Sequence, residues 1–371
     1  MLVIYFIAHS DWILQRSRAD MVNYLKEYFN ITSICPLGDN KSEINRTYQD
    51  FIDWQINNKK LLDIDGILNL RKLLKNIESN SLIHIFTIKS LFLFIFSTFF
   101  LKKKFKVIVS ITGLGYLFGN TLLGNILRGL IKPFIKYKIN KEVDTIIFQN
   151  KTNYSDFLKY SNYKNNARII EGSGLNTEAF KQKTEAFKQK EDQVKKNKII
   201  FVGRLMREKG IYEYLAIADG MKENKSISFH IAGKPDFGNK SSLNLKEFEE
   251  LKNNPNINYL GEIDVQENLH DYDILIQPSY HEGFSRVLLE SIYSGLFCIV
   301  NDIPGMNEII SKTKYGLLIK ENNIDLYIDG INNYVNGEYT LNHEYAAQVI
   351  EDNYSVKAIS DKFKELYYEF I

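Results

Sequence analysis

Pro278-Ser-Tyr-His-Glu282-Gly-Phe-Ser-Arg-Val-Leu-Leu-Glu290 sets two carboxylates with seven residues between them across what reads as a loop-to-helix junction. Before it, Asp273-Ile-Leu-Ile-Gln277 has the apolar run of a buried strand; after it, Val287, Leu288, Leu289, Ile292 and Leu296 recur at helical spacing. Ser285 is the N-cap candidate. The first-turn amides of such a helix have no intrahelical acceptor, and with the positive end of the helix dipole they favour an anion such as a diphosphate. Glu282 then lies in the loop, on the sugar side. Glu290 lies about 7 Å along the helix from Ser285 at ~1.5 Å per residue, about a ribose away from the phosphates. Carboxylates accept from sugar hydroxyls and are poor partners for phosphate, so the spacing suits a nucleotide sugar better than a free nucleotide. The blander reading is an exposed Glu on each side of an ordinary helix start.

At 371 residues the chain is long for one core, and two domains are expected. An apolar share of 44 % with 25 % charged residues is that of a globular protein. Cys35 and Cys298 stand far apart with no metal-ligand spacing, which points to a reducing compartment and to neither a disulfide framework nor a zinc or iron site. The opening Met1-Leu-Val-Ile-Tyr-Phe-Ile-Ala8 lacks a basic lead and runs into His9, Asp11, Arg16 and Arg18, so it reads as a first buried strand and not a signal peptide.

Charge is uneven. Residues 1 to 170 carry 24 Lys and Arg against 13 Asp and Glu, and the rest carries 23 against 32. A basic half beside an acidic one points to an anionic surface as partner of the first. Leu91-Phe-Leu-Phe-Ile-Phe-Ser-Thr-Phe-Phe-Leu101 is too short for the ~20 residues of a spanning helix, and is either a buried helix or an interfacial one. Lys102, Lys103, Lys104 and Lys106 follow it directly, a combination suited to headgroup attraction plus apolar insertion, or to a buried helix with a solvated basic end. No basic helix, zinc finger or aromatic RNA platform speaks for nucleic acid.

Strand-like and helix-like runs alternate throughout, which implies parallel sheets in layered α/β domains. Strands are expected at Leu2 to Ala8, Ile31 to Pro36, Leu82 to Phe86, Lys106 to Ser110 and Thr145 to Gln149, with helices at Arg16 to Tyr28 and Ile67 to Glu78. The second half repeats the pattern at Lys198 to Val202, Ile227 to Ala232, Ile257 to Leu260, Ile274 to Gln277 and Phe297 to Asn301. Between the halves, Thr177-Glu-Ala-Phe-Lys-Gln-Lys183 is followed by the same seven residues, Thr184 to Lys190; the duplication reads as a surface linker that tolerates changes of length, with a two-heptad coiled-coil element as the alternative, short of the roughly three or four heptads such an element usually needs. The domains expected are 1–171, a linker 172–197, 198–352, and a closing helix 353–371.

Phe201-Val-Gly203-Arg204-Leu-Met-Arg-Glu-Lys209-Gly210 follows a strand and precedes a helix near Ile211. Gly203 lets the backbone turn closely, while Arg204 as a forked donor and Lys209 as a point charge could clamp a diphosphate. It is not a P-loop, since neither the glycine spacing nor the Lys-Ser/Thr pair is present.

With these motifs together the chain resembles a family 4 glycosyltransferase of the two-domain fold called GT-B. The resemblance rests on Gly203-Arg204 with Lys209-Gly210, on Glu282 and Glu290 around Glu-Gly283-Phe284-Ser285, and on Asp302-Ile-Pro-Gly305-Met-Asn-Glu308. It extends to Gly172-Ser-Gly-Leu-Asn176, to Ile111-Thr-Gly113-Leu-Gly115-Tyr-Leu-Phe118 and to Phe86-Thr-Ile-Lys89, the last two similar to the subgroup that builds bacterial capsule, O-antigen or glycoprotein oligosaccharides on a polyprenyl diphosphate. It implies two Rossmann-like domains facing each other across a cleft, the first for the acceptor and the second for the donor. It also implies retaining transfer from a nucleotide diphosphate sugar, a UDP-sugar before a GDP-sugar, with no metal or other cofactor. In the matching positions Arg204 and Lys209 bind the donor diphosphate, Glu290 holds the ribose and Glu282 contacts the transferred sugar, with Gly203, Gly283, Phe284 and Ser285 beside them. Two cations and a helix N-terminus stabilise a leaving diphosphate without Mg2+.

One departure is that His9-Ser-Asp-Trp-Ile-Leu-Gln15 holds no glycine where the family often has a pair. Gly113 and Gly115 could let backbone approach the donor instead, or serve only a turn. Arg16, Arg18, His84, Lys89, Lys102, Lys103 and Lys104 are the acceptor or membrane candidates; for His84 a satisfied core histidine is the competing reading, and for Arg16 and Arg18 an ordinary surface cation. The expected place of work is the cytoplasm, at the inner face of the cytoplasmic membrane, with a lipid-linked saccharide as acceptor. Rival readings are a UDP-sugar epimerase or soluble-glycoside synthase of the same fold, and a non-catalytic sugar-nucleotide-binding protein.

Overall fold

A computed structural model describes residues 1–38, 40–57, 60, 63–99, 101–113, 135–181 and 197–370. The chain forms two compact units, one of Met1–Gly174 with Val356–Ile371 and one of Leu175–Ser355. Gly115 and the second copy of the heptad, Thr184 to Lys190, lie outside the described residues.

The first unit is built on seven parallel strands, β1 (Val3–Ile7), β2 (Asn30–Cys35), β3 (Asp50–Asp53), β4 (Leu82–Phe86), β5 (Lys106–Ile111), β6 (Thr145–Phe148) and β7 (Asn166–Ile169), in the order β3-β2-β1-β4-β5-β6-β7. Apolar runs such as Val3-Ile-Tyr-Phe-Ile7 and Leu82-Ile-His-Ile-Phe86 suit strands covered on both faces. Ile4 pairs with Ile31 on one side and Leu82 on the other. One core, with Ile83, Ile85, Leu93 and Phe94, fills one face; another, with Phe6, Met21, Phe86 and Phe363, fills the other. Helices α1 (Asp11–Leu25), α2 (Lys41–Thr47), α3 (Ile64–Asn76) and α4 (Ile88–Thr98) follow the first four strands. Helices α1 and α3 begin five and three residues earlier than their apolar spacing predicts.

Helix α4 corrects the interfacial reading of the Phe-rich run. Leu91, Leu93, Phe94 and Ile95 are buried in the first unit's core, and turning them out would lose roughly 1.5–3 kcal/mol for each. Lys103 is also not a free headgroup cation: its ammonium donates to the carbonyls of Lys75 at 2.5 Å and Ile77 at 2.6 Å, satisfying the open carbonyl end of α3. Lys102 and Lys104 remain exposed. No helix among the described residues is long and apolar enough to cross a membrane.

The helix Val356–Tyr368 completes the first unit. Its Ile359, Phe363, Leu366 and Tyr367 enter the core, Tyr24 donates to Asp361 at 2.8 Å, and the Arg168 guanidinium donates both ways to Glu369 at 2.6 Å. His84 belongs to this packing and not to an acceptor surface. It is 0 % exposed, with Nδ1 at 2.6 Å from the Tyr367 hydroxyl and Nε2 at 2.8 Å from that of Ser110. Arg18, 1 % exposed, likewise lies inside, its guanidinium 4.8 Å from the centre of the Phe86 ring. Helical geometry turns it toward the core, whereas Arg16 faces solvent.

The second unit has six parallel strands, β8 (Asn197–Val202), β9 (Ile227–Ala232), β10 (Ile257–Gly261), β11 (Ile274–Gln277), β12 (Phe297–Asn301) and β13 (Gly316–Ile319), in the order β10-β9-β8-β11-β12-β13. The expected linker does not begin at 172 as a surface segment. Leu175 is buried and its N–H donates to the Tyr354 carbonyl at 2.8 Å, and Phe180, from the first heptad copy, is buried 6.2 Å from the Tyr293 ring. An apolar side chain every seventh position gives the charged repeat one anchor per copy, and the first copy uses it.

In both sheets the strand order reverses beside the first strand, between β1 and β4 and between β8 and β11. Loops leaving the carboxyl ends at such a reversal diverge, which is where open α/β sheets take their ligands.

Candidate functional site

The second unit's reversal point gathers the charged residues singled out in the sequence. After β8 the chain turns through Gly203 and Arg204 into a short 3-10 turn, Arg207–Lys209, and after β11 it runs through Pro278 to Ser285 into the helix Arg286–Tyr293. Gly210, at φ +78°, permits the two loops to touch, because a Cβ there would stand 2.1 Å from the Pro278 carbonyl oxygen. Gly305, at φ +85°, brings in the loop after β12: a Cβ there would stand 2.4 Å from the Gly283 oxygen.

Lys209 donates to Glu282 Oε1 at 2.6 Å, in a pair whose side chains are 23 % and 11 % exposed. Gln277 Nε2 and the Ser279 hydroxyl donate to the same oxygen, each at 3.2 Å. Three donors converge on Oε1, and no described residue donates to Oε2. The carboxylate is therefore fixed in direction, with one oxygen open. Arg204 stands more freely, 59 % exposed and 4.0 Å from Asp236.

Ser285 caps its helix, accepting from the Leu288 N–H at 3.3 Å and donating to Gln277 Oε1 at 2.9 Å. Glu290, one turn on and nearly buried, accepts from Arg286 Nε at 2.8 Å. Phe284 packs among the buried residues of the second unit, its ring 5.2 Å from that of Tyr354, so it holds the loop down. Asn301 Nδ2 donates to the Ser279 carbonyl at 3.0 Å and Asn322 Nδ2 to that of Pro278 at 2.7 Å. The structure thus brings together Gly203, Arg204, Lys209, Glu282, Gly283, Ser285 and Glu290 within one unit. Sequence reasoning passed over Gln277, Ser279, Asn301 and Asn322. A polar residue ending an apolar strand was the available signal for Gln277 and Asn301; Asn322 had none.

The first unit's candidates are scattered. His84 and Arg18 are interior, and Lys102 and Lys104 are exposed beyond α4. Lys89 lies half-buried in the first turn of α4, its pKa lowered by burial. Gly113 ends the described part of its loop, and a Cβ there would meet no atom of the described residues within 4 Å, which fits close approach of a ligand as well as a plain turn. Among the described residues no group of three or more His, Cys, Asp or Glu side chains could hold a metal ion.

Two family descriptions match the chain, "Glycosyl transferase 4-like" over residues 3–150 and "Glycosyl transferases group 1" over residues 182–366. The chain belongs to the family 4 type of glycosyltransferases. Curated relatives include the Campylobacter jejuni N,N'-diacetylbacillosaminyl-diphospho-undecaprenol alpha-1,3-N-acetylgalactosaminyltransferase, 28 % identical over 54 % of this chain and 53 % of that protein. An Escherichia coli UDP-Gal:alpha-D-GlcNAc-diphosphoundecaprenol alpha-1,3-galactosyltransferase is 29 % identical over 48 % of this chain and 47 % of that one. The chain thus spans about half the length of these curated relatives. Among solved structures, Anabaena Alr3699/HepE in complex with UDP-glucose superposes with a TM-score of 0.77 at 13 % identity, covering 100 % of both chains. A Rickettsia africae glycosyltransferase does so at 0.74 and 18 %, covering 100 % of this chain and 98 % of that one. These likenesses establish the fold, the α/β GT-B architecture.

Proposed function

We propose that the protein is a retaining glycosyltransferase that moves a sugar from a UDP-sugar to a saccharide carried on a polyprenyl diphosphate, in the assembly of a bacterial surface polysaccharide. The observation that carries this reading is the Glu282 carboxylate, pinned through Oε1 by Lys209, Gln277 and Ser279 with Oε2 open, beside Arg204 at the reversal point of the second sheet. Glu282 accepts a hydroxyl of the transferred sugar through Oε2, Glu290 the ribose, and Arg204 with Lys209 the diphosphate. As the bond from the anomeric carbon to the diphosphate breaks, negative charge grows on the leaving oxygen, where the two cations act without a metal ion. The acceptor hydroxyl oxygen bonds to the anomeric carbon on the same face, and its proton passes to the leaving phosphate oxygen. The acceptor belongs to the first unit, in line with the diphosphoundecaprenol acceptors in the names of the relatives.

The test is transfer by the purified protein from a panel of radiolabelled UDP-, GDP- and ADP-sugars. Label appearing in solvent-extractable lipid supports the reading, and its loss in Glu282→Ala and Lys209→Ala supports the site. Label only in free epimer or in water-soluble glycoside, or donor binding with no product, would overturn it. We also place the protein at the inner face of the cytoplasmic membrane through its basic first half, with Lys102 and Lys104 as the exposed cations. Flotation with anionic vesicles checks this; no binding by wild type, or equal binding by a Lys102→Ala/Lys104→Ala variant, counts against those residues.

A further inference from the structure

The first sheet has a constellation of its own at the reversal between β1 and β4. His9 follows β1, and Thr87, Lys89 and Ser90 follow β4. His9 Nδ1 lies 3.0 Å from the Ser90 hydroxyl and 3.0 Å from the Thr87 hydroxyl, the two hydroxyls are 3.1 Å apart, and the His9 N–H donates to Ser90 Oγ at 3.0 Å. Thr87 holds this geometry at φ +79°, a rare and strained conformation for a β-branched residue.

Proton accounting favours one tautomer. Each hydroxyl brings one proton. If Nδ1 is bare, one hydroxyl donates to it and the other donates to the first hydroxyl's oxygen, so every proton in the ring of three is used. If Nδ1 carries a proton, one of the two hydroxyl protons has no acceptor among the described residues and must turn to solvent past half-buried Thr87, so the closed ring with a bare Nδ1 is the better satisfied arrangement. The bare Nδ1 puts the imidazole proton on Nε2, for which no described residue provides a partner. Burial, and then the nearby Lys89 ammonium, keep the ring neutral down to about pH 4. The neighbouring Asp11 carboxylate is committed elsewhere, accepting from the N–H groups of Trp12, Gly38 and Asn40 and from the Asn40 amide.

We infer that His9 is a fixed neutral hydrogen-bond donor which, with Lys89, binds a phosphoryl oxygen of a diphosphate at the reversal point of the first sheet. An N–H aimed by two hydroxyls beside an ammonium selects an oxyanion over a neutral hydroxyl. Both substrates under the proposed function contain a diphosphate, and the inference rests on that reading only for which of the two is bound.

His9→Asn keeps an amide where Nδ1 meets Thr87 and Ser90 and has nothing at Nε2; His9→Gln reaches the Nε2 position with an N–H. Calorimetric titration of the full chain with inorganic diphosphate is done in an Arg204→Ala/Lys209→Ala background that removes the second unit's cations, and the His9 variants compared within it read the first unit's contribution. His9→Asn is expected to weaken binding about tenfold or more, and His9→Gln to stay near the parent. No binding in the parent background, equal binding in both variants, or the reverse ranking would overturn the inference, the reverse ranking marking His9 as only a brace for Thr87. In steady-state transfer, a KM rise in His9→Asn confined to the lipid-linked acceptor assigns the diphosphate to the acceptor, and one confined to the sugar nucleotide assigns it to the donor. If wild type transfers no sugar while the titrations hold, the transferase reading fails and the His9 site stands.

Discussion

The two sheets reverse strand order at the same place in their topology, yet the loops there are furnished differently. At β8 and β11 the groups are charged, with Lys209 against Glu282 and Arg286 against Glu290, held by loops close enough that only glycine fits at Gly210 and Gly305. At β1 and β4 they are largely neutral, an imidazole between two hydroxyls with one lysine nearby. Topology supplies the place and the loops supply the chemistry. A charged cradle suits a group whose charge changes in the reaction, and a neutral aimed donor suits one that is only held.

The sharpest way to break this contrast is to discharge the charged cradle of the second unit. Lys209→Ala should lower kcat by about 10²- to 10³-fold in single-turnover transfer, whereas His9→Asn should act mainly on KM. A kcat loss of equal size in both would erase the distinction. Next, Gly210→Ala should cost about 10²-fold in transfer, since the added Cβ would sit 2.1 Å from the Pro278 oxygen and must displace the loop carrying Glu282. Unchanged kinetics would show that the loops part freely. For stability, Tyr367→Phe leaves buried His84 without one partner and should lower the unfolding free energy by about 1–3 kcal/mol by denaturant titration.

Acid should also weaken the first unit. Burial lowers the pKa of both His84 and His9, His9 to about 4, so below about pH 6.5 the unfolded chain takes up protons that the folded chain refuses. Stability conferred by keeping them neutral is complete above that pH and is lost as pH falls toward 4. Denaturation midpoints should drop from pH 7.5 to pH 5, less steeply in His9→Gln; equal slopes would remove His9 from the account. The smallest effect is at Lys103→Ala, where loss of two carbonyl contacts at the end of α3 should cost about 0.5–1.5 kcal/mol.

The second unit's site was legible because its signals are local. A β11 that is apolar up to its final Gln277, a Ser at the cap position and acidic residues on either side are all read along one stretch of chain. The first unit's site was not, since His9 and Thr87 lie 78 positions apart and the strained φ of Thr87 leaves no trace in composition. Hydrophobicity alone could not tell a core helix from a lipid-facing one, so Leu91 to Leu101 stayed ambiguous until its packing was seen. β3, Asp50-Phe-Ile-Asp53, escaped notice as an edge strand with an acid at each end, and β13 because Gly316-Leu-Leu-Ile319 is too short to show a period.

The second unit is inserted in the first, which has to regain its last helix after Leu175–Ser355 has been made. At about 5–20 residues per second, that interval lasts roughly 10–40 s during synthesis. Throughout it, Phe6, Phe29, Phe86 and the His84 ring lack the cover that Phe363 and Tyr367 later provide. The nascent first sheet therefore carries a sticky aromatic face for tens of seconds, a window in which chaperone capture competes with aggregation, and a truncation before Val356 should leave that face permanently bare.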